Sequence, residues 1–419
     1  MADFNLINDY MFAKEYLTPR EIMYGAKAGF MIGRHEYDKF LEWKAKLVDK
    51  SKGDFRFEVT DLASFDGNPI YFALCNQLAS LLDAITSIAI YDYLSPGDLS
   101  TVRNGRSVLI SRIYSEIEGT LSIESVPTTR KRVEMLYSGK IRPESKNDQI
   151  VKNMIEGIRF VFSKPDFNQE NLHRLYGLLS MDSLDGDHKL QDGDLYRYDG
   201  VEVDKYAGCP PEKIRECMDS LFSYVNKSMK GEISPILRFT LPYIAHYYIV
   251  YIHPYFDFNG RTARMVSLWL SLLLDTVPMS LDSEAIDQTK NKYYEALRNS
   301  RDSNNDITYF IKYLLEESVD YYSCYKNLEE IDQRLKKKGV VLTEAEKSYF
   351  KKILISNRGK FTYRDFANWI KLSVSKQGIF KILDTLEGYG LLKSAQSGNN
   401  KLFYVNDEMI TYRMSNYQS

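Results

Sequence analysis

Cysteine is scarce in this chain of 419 residues, and its four copies show no paired spacing. With no CxxC pair among them, neither a disulfide framework nor a structural zinc site is expected. Long apolar runs are also missing, because the strongest of them, such as 266–274, fall well short of a membrane span. The N-terminus has no basic run followed by an apolar core, so no secretory signal is predicted. These absences favour a cytoplasmic protein with no membrane partner.

The formal charge is nearly balanced, at −2, and by itself favours no class of partner. With 44% hydrophobic and 27% charged residues, the composition is that of an ordinary globular protein with enough apolar material for a sizeable core. A chain of 419 residues is too long for one average domain, so two or three domains are expected.

A β-hairpin is predicted near the middle of the chain. Asp199-Gly200 stands between two short β-prone runs, 195–198 and 201–203. Both central residues of a type I′ turn need positive φ, which Asp-Gly tolerates, so this dipeptide favours the turn of a hairpin.

Most of the remaining pattern is helical. One helix is predicted from Pro211, and a second is capped by Ser234 and runs into His253. After a short loop, a third helix is predicted over 261–274. The sequence therefore predicts a helix–loop–helix whose loop begins at His253.

The segment 253–264, HPYFDFNGRTAR, concentrates the chemistry of the chain. His253 precedes a proline, which disfavours helical geometry and places it at a helix end, where it can act as a general base. Asp257 can hold Mg²⁺ through carboxylate oxygens. Asn259 and Gly260 form a turn into a helix, whose free N–H groups attract phosphate.

Two arginines complete this segment. Arg261 and Arg264 are three residues apart, so they share one helix face, and two guanidinium groups there suit a di- or triphosphate. The alternative is an ordinary helix–loop–helix with a capping asparagine and two surface arginines. A base, a carboxylate, an anion-binding turn and two cations together favour phosphoryl-type transfer.

The segment resembles the signature of Fic-domain proteins, His-x-Phe-x-(Asp/Glu)-Gly-Asn-(Gly/Lys)-Arg-x-x-Arg. The matching positions are occupied by His253, Asp257, Asn259, Gly260, Arg261 and Arg264. Tyr255 replaces the usual phenylalanine, a mild change. Phe258 replaces the first glycine, which permits unusual backbone angles, so a bulky ring is expected beside the phosphates.

The resemblance implies a mainly α fold: a Fic-type helical bundle over 105–325 with a small β-hairpin flap at 194–206. The residues expected to position a target on this flap are Leu195, Tyr196, Arg197, Val201 and Val203. An N-terminal region, 1–104, has no assigned role. A linker is predicted over 326–339, followed by a winged helix-turn-helix domain over 340–410.

The resemblance also implies a reaction, the transfer of AMP from ATP to a hydroxyl side chain of a protein target. His253 would deprotonate a tyrosine, serine or threonine of that target, while Asp257 would hold Mg²⁺ on the α- and β-phosphates. Asn259 and the Gly260 backbone would receive the α-phosphate. Arg261 and Arg264 would bind the outer phosphates.

A second resemblance concerns the segment SEIEGT, 115–120, which is similar to an inhibitory helix found in a subset of the family, (Ser/Thr)-x-x-x-Glu-(Gly/Asn). Glu118 and Gly119 match, although Tyr114 stands where serine or threonine is expected. The implied role of Glu118, on a helix near 107–119, is to pair with Arg264 and block productive ATP binding. The alternative is a helix end capped by Gly119 in left-handed geometry.

The C-terminal region is basic. From 334 to 404 it holds 15 Lys and Arg against 5 Asp and Glu, a balance of +10, over a pattern of three helices and a hairpin. This is the winged-helix outline, and such charge is typical of phosphate contacts. Residues that could meet DNA are Ser375, Lys376, Gln377, Lys381 and Lys401. Packing on a protein partner is the alternative.

Two other functions stay open at this point. One is a transferase of the same type that uses another nucleotide or a phosphocholine donor, which the phenylalanine at 258 would favour. The other is a DNA-binding regulator whose Fic-like core senses nucleotide without turnover. The sequence also leaves the target protein and a homodimer undecided.

Overall fold

The computed structural model describes residues 3–25, 28–50, 56–93, 103–184, 186–276, 283–356, 359–370, 375–398 and 400–412. The chain divides into two compact units, Met1–Leu315 and Glu316–Ser419. Within the described residues, no helix combines the length and the apolarity needed to cross a membrane.

The first unit is built mainly of helices, which confirms the predicted class. Its helices are α1 (Phe4–Ala13), α2 (Pro19–Tyr24), α3 (Gly33–Lys50), α4 (Asn76–Tyr93), α5 (Arg103–Ile123), α6 (Arg130–Tyr137), α7 (Lys146–Phe162), α8 (Gln169–Ser180), α9 (Pro211–Ser228), α10 (Pro235–Ile252), α11 (Asn259–Leu273), α12 (Ser283–Gln288) and α13 (Lys290–Asp302). Two antiparallel pairs of short strands join them: β1 (Phe57–Val59) with β2 (Tyr71–Ala73), and β3 (Glu202–Val203) with β4 (Tyr206–Ala207).

The central pair of helices, α10 and α11, is buried almost all round. Every residue of α11 from Arg261 to Leu272 is buried, as is nearly every residue of α10 from Phe239 onward. Helices that are buried on all sides occupy the middle of a bundle. The loop 253–258 that joins them is therefore held by the core of the unit.

The N-terminal region belongs to the same unit and contacts this core. Lys44 of α3 is buried and pairs with Asp306 at 2.6 Å, and the Tyr16 hydroxyl donates to the same carboxylate at 2.6 Å. Breaking a buried pair by removing one partner leaves an uncompensated charge and is strongly destabilising. The described part of this region is thus structurally tied to the bundle.

The predicted linker at 326–339 is wrong for most of its length. A helix, α14 (Thr308–Lys337), begins in the first unit and ends in the second. Its last turn carries Arg334, Lys336 and Lys337, and cations stabilise the negative end of a helix dipole. These basic residues, inside the predicted linker, therefore form a helix C-terminus, which Gly339 follows at φ 78°.

The second unit continues with three helices and a hairpin, in the predicted order. They are α15 (Glu344–Ser356), α16 (Tyr363–Ile370), α17 (Lys376–Gly388), β5 (Leu392–Ser397) and β6 (Asn400–Val405). Its core includes Phe350, Phe366, Leu383 and Phe403, all fully buried. Phe361 exchanges backbone hydrogen bonds with Phe403, which adds a short third segment beside the hairpin.

Candidate active site

The loop between α10 and α11 is bounded by two residues in left-handed geometry. His253 ends α10 at φ 55° and ψ 61°, and Phe258 precedes α11 at φ 66° and ψ 7°. Such angles are costly for residues with a Cβ, and strained backbone clusters at functional sites. The prediction of a helix–loop–helix beginning at His253 is confirmed.

His253 is held from behind by Arg197. The Arg197 backbone N–H donates to Pro254 O at 2.9 Å, and its Nε donates to His253 O at 2.7 Å. Its guanidinium also donates to the carbonyl oxygens of Asp199 and Cys209. One buried side chain thus fixes three backbone segments around the histidine.

The surroundings of the His253 imidazole favour its neutral form. Its Nδ1 is buried and has no hydrogen-bond partner among the described residues. Burial, and then the positive charge of Arg197, lower the pKa of His253 to about 4. The ring is therefore neutral at physiological pH, as a general base must be.

Asn259 closes the loop. Its amide nitrogen donates to Tyr255 O at 2.8 Å, and its amide oxygen accepts from Tyr255 N at 3.0 Å. The ring of Tyr255 in turn stacks on Tyr176, with centroids 3.7 Å apart. These contacts give Asn259 a structural task, and its contact with an α-phosphate stays a prediction.

Asp257 is the carboxylate that reaches solvent beside this loop. Its side chain is 48% exposed, accepts from Phe258 N at 2.6 Å, and lies 3.6 Å from Nη2 of Arg261. No cluster of three or more metal-ligating side chains exists among the described residues. Mg²⁺ is commonly held by one or two carboxylates together with substrate phosphates, so a single exposed aspartate fits it.

The two arginines of α11 are both buried, but their surroundings differ. Arg264 donates from Nε to Thr120 Oγ1 at 2.7 Å and from Nη2 to Glu124 Oε1 at 2.6 Å. Arg261 has no hydrogen-bond partner at Nε or Nη1 among the described residues, and its Cζ lies 3.4 Å from the centroid of the Phe258 ring. Arg264 is thus hydrogen-bonded to a carboxylate, whereas Arg261 has only a longer ion pair with Asp257 and two donor atoms without a hydrogen-bond partner among the described residues.

The expected contact between Glu118 and Arg264 is wrong. Glu118 pairs with Arg130 at 3.2 Å instead, and the carboxylate on Arg264 belongs to Glu124. Gly119 does not cap a helix end either, because α5 continues to Ile123. An added Cβ at Gly119 would lie 2.5 Å from the backbone of α12, so this glycine permits close packing.

The sequence does contain a signal for Glu124. Thr120 stands four residues before it, which is the spacing of the inhibitory pattern, and Thr120 itself accepts a hydrogen bond from Arg264. Ser125 occupies the position of the pattern's glycine or asparagine and adopts φ 59°, the left-handed geometry those residues favour. Because Ser125 stands where the pattern has glycine or asparagine, the sequence analysis did not identify Glu124.

Glu124 also covers the turn into α11. A Cβ added at Gly260 would lie 2.7 Å from Glu124 Oε1 and 3.3 Å from Arg264 Nη1. Burial alone would raise the pKa of Glu124, but the charge and hydrogen bond of Arg264, together with the charges of Arg261 and Lys290, hold that pKa below its usual value. An ionised carboxylate therefore lies at the helix N-terminus, where an anion is favoured.

The predicted hairpin has a different turn. Asp204-Lys205, with Asp204 at φ 56°, connects β3 to β4, and Asp199-Gly200 lies outside the hairpin. The segment 195–198 cannot pair with 201–203, because Arg197 is bonded to the loop of His253. Val203 pairs with Tyr206 in register, and Val201 O accepts from Gly208 N at 2.9 Å.

Of the five predicted flap residues, only Val203 lies in a strand, and Val201 lies just before it. Arg197 is a buried support for His253 rather than an exposed flap residue. Leu195 and Tyr196 are half-buried, and the Tyr196 ring lies 6.1 Å from that of Tyr255.

Arg301 is a residue that the sequence analysis missed. Its guanidinium carbon lies 4.5 Å from the ring centroid of Tyr206, 5.3 Å from that of Tyr251 and 5.5 Å from that of Phe65. Its Nη2 also donates to Ala207 O at 2.7 Å. Arg301 thus contacts the N-terminal region through Phe65, the hairpin through Tyr206 and α10 through Tyr251. Tyr251 lies two residues before His253.

The predicted DNA-contacting residues are placed on the second unit. Ser375 caps α17, and the three that follow on this helix, Lys376, Gln377 and Lys381, are exposed. Lys401 of β6 differs, because it pairs with Asp384 at 3.0 Å and with Glu387 at 2.8 Å. Much of its charge is therefore already neutralised by α17.

Comparison with known proteins agrees with the loop's chemistry. Residues 166–271 match the model of the Fic/DOC family. The chain is 30% identical over 118 residues to protein adenylyltransferase fic-1 of Caenorhabditis elegans, which is 28% of this chain and 22% of that protein. It is 30% identical over 138 residues to protein adenylyltransferase Fic of Nematostella vectensis, 32% of this chain and 30% of that protein. The matched region thus spans less than a third of either relative.

Solved structures give a weaker likeness. A Fic family protein from Desulfovibrio desulfuricans aligns over 80% of this chain and 97% of its own, with 18% identity and a TM-score of 0.48. Fic-1 from C. elegans aligns over 71% of this chain and 79% of its own, with 16% identity and a TM-score of 0.47. Scores at this level are too low to argue from.

Proposed function

We propose that this chain, through the domain that matches the Fic/DOC family, transfers AMP from ATP to a hydroxyl group of a protein target. The observation that carries the proposal is the cluster at the start of α11, where a neutral His253 stands beside a helix N-terminus and two buried arginines. Oriented N–H groups and guanidinium ions at one place suit the charge that develops on a phosphoryl group.

His253 supplies the base. With its pKa near 4, it accepts the proton of the target hydroxyl as that oxygen attacks the α-phosphorus of ATP. The bond from the α-phosphorus to the bridging oxygen breaks, and pyrophosphate leaves. The first N–H groups of α11, at Asn259 and Gly260, face the α-phosphate, and the Arg197 contacts keep the histidine in place.

The cations act on the leaving group. Arg261 offers unpaired donors to the β-phosphate, and Arg264 receives the γ-phosphate once Glu124 has moved away. Asp257 would hold Mg²⁺, which neutralises phosphate charge when bound. Glu124 therefore keeps the enzyme inactive by occupying Arg264, a role that the sequence analysis gave to Glu118.

The test uses ATP labelled in turn on the α- and the γ-phosphate, with the Glu124→Gly variant and a cell extract as a source of targets. The proposal expects label on protein from the α position alone. Label from the γ position would indicate a kinase, and label only from another nucleotide or a phosphocholine donor would establish the alternative donor class. No label from any donor would contradict enzymatic function.

For the second unit, we propose a winged-helix module that binds DNA through the exposed start of α17. The observation in favour is the run Ser375, Lys376 and Gln377 at a helix N-terminus, with Lys381 one turn on. Gel shifts against salt should show weaker binding for Lys376→Ala and Lys381→Ala, while Lys401→Ala serves as the control because its charge is paired. Absence of binding at low salt removes this proposal.

A further inference from the structure

Phe258 stands where the Fic pattern has glycine, in a conformation that glycine adopts freely. Its φ is 66° and it is only 3% exposed. A phenylalanine pays a steric cost in this geometry, and such residues persist only where surrounding contacts hold them. The contact that the ring makes therefore decides what the substitution does.

That contact is with Arg261, three residues along the chain. The guanidinium carbon lies 3.4 Å from the ring centroid, which is van der Waals distance for a planar cation lying on an aromatic face. Phe258 is the N-terminal cap residue of α11 but makes no side-chain capping hydrogen bond. Its side chain thus contacts the Arg261 guanidinium and does not cap the helix.

The Arg261 guanidinium is buried, but not all of its donors have hydrogen-bond partners among the described residues. Its side chain is 7% exposed, yet Nε and Nη1 have no hydrogen-bond partner among the described residues, and its one ion pair, with Asp257, is 3.6 Å long. Buried donors of this strength normally have partners, so two unpaired donors here suit an anion. Arg264, by contrast, is bonded to Thr120 and Glu124.

We propose that Phe258 is a positioning residue for nucleotide binding: its ring holds the Arg261 guanidinium flat and leaves the edge donors free for the phosphate chain. A cation stacked on a ring still presents its N–H groups in its own plane, so the stack fixes orientation without consuming donors. A glycine at 258 would leave Arg261 nothing to stack on. This inference rests on the proposed function of the same site.

The experiment compares Phe258→Leu with Phe258→Tyr, both in the Glu124→Gly chain. Leucine fills the core and has the same backbone strain, but it lacks the aromatic face, whereas tyrosine retains it. The affinity for ATP, measured by calorimetry without turnover, should fall about tenfold for leucine, while tyrosine should retain most of it. Thermal unfolding checks that both variants fold.

A second pair of variants separates positioning from packing. In an Arg261→Ala chain the leucine and tyrosine variants should bind ATP equally, because the group that the ring holds is gone. Equal affinities with Arg261 present, or the same tenfold loss with Arg261 absent, would overturn the proposal. A parent that binds ATP but transfers no AMP contradicts the proposed function alone, because the comparison measures affinity. A parent that binds no ATP overturns both.

Discussion

Replacing Glu124 by glycine should activate the protein. Glu124 Oε1 lies 2.6 Å from Nη2 of Arg264, whose side chain is 3% exposed, so the bond is charge-assisted and shielded from solvent. A bound γ-phosphate and this carboxylate would compete for the guanidinium of Arg264, which can bind only one of them in this position.

The size of the effect follows from that bond. A hydrogen bond to a charged group contributes about 1.5–3 kcal/mol, and each 1.4 kcal/mol is about tenfold in an equilibrium constant. Without the competing carboxylate, productive ATP binding should therefore strengthen by about ten- to a hundredfold. AMP transfer at an ATP concentration below saturation should rise in proportion.

The assay is transfer of α-labelled AMP, with Glu118→Gly as the matched control. Glu118 pairs with Arg130, and their side chains are 31% and 35% exposed, where ion pairs contribute little. Its removal should change transfer by less than about twofold. Activation by Glu118→Gly with none by Glu124→Gly would refute this reasoning.

Three further predictions concern buried ionisable groups. Burial raises the pKa of Glu116 to about 7, although its carboxylate accepts bonds from Ser283. The folded state thus disfavours ionisation of Glu116. The free energy of unfolding of wild type, measured with urea, should therefore fall by up to about 3 kcal/mol relative to Glu116→Gln as pH rises from about 4.5 to 8. If the two free energies changed with pH in parallel, this prediction would be contradicted. Transfer should persist as pH falls toward about 4, the pKa of His253; an acid limb near 6.5, the usual histidine value, would contradict its burial. Arg197→Met should destabilise the fold by about 3 kcal/mol, since three carbonyls lose a charged donor, and should raise the His253 pKa in an NMR titration; an unshifted histidine would contradict the role of Arg197.

What the sequence predicted well is local. The histidine, the turn and the two arginines lie within twelve residues, 253–264, and the proline after His253 ends the helix by its own geometry. The three helices and hairpin of the second unit also follow from short-range patterns. In each case the deciding interactions lie close together in the sequence.

What it missed depends on contacts between distant segments. Which glutamate contacts Arg264 depends on how α5 packs on α12. Gly119 allows that close packing, and Ser283 N donates a hydrogen bond to Glu116 across 167 residues of sequence. The hairpin turn lies at Asp204-Lys205 and not at Asp199-Gly200, because Arg197 is hydrogen-bonded to a loop more than fifty residues away. Periodicity and turn propensity contain no information about such partners.

The proposed transfer of AMP depends most directly on His253 as the base. Transfer of AMP and affinity for ATP should be measured side by side for Glu124→Gly and for the same chain with His253→Ala. If His253 is the base, the affinity for ATP should stay within about twofold while AMP transfer falls by about a hundredfold or more. Full transfer by the alanine variant would contradict it.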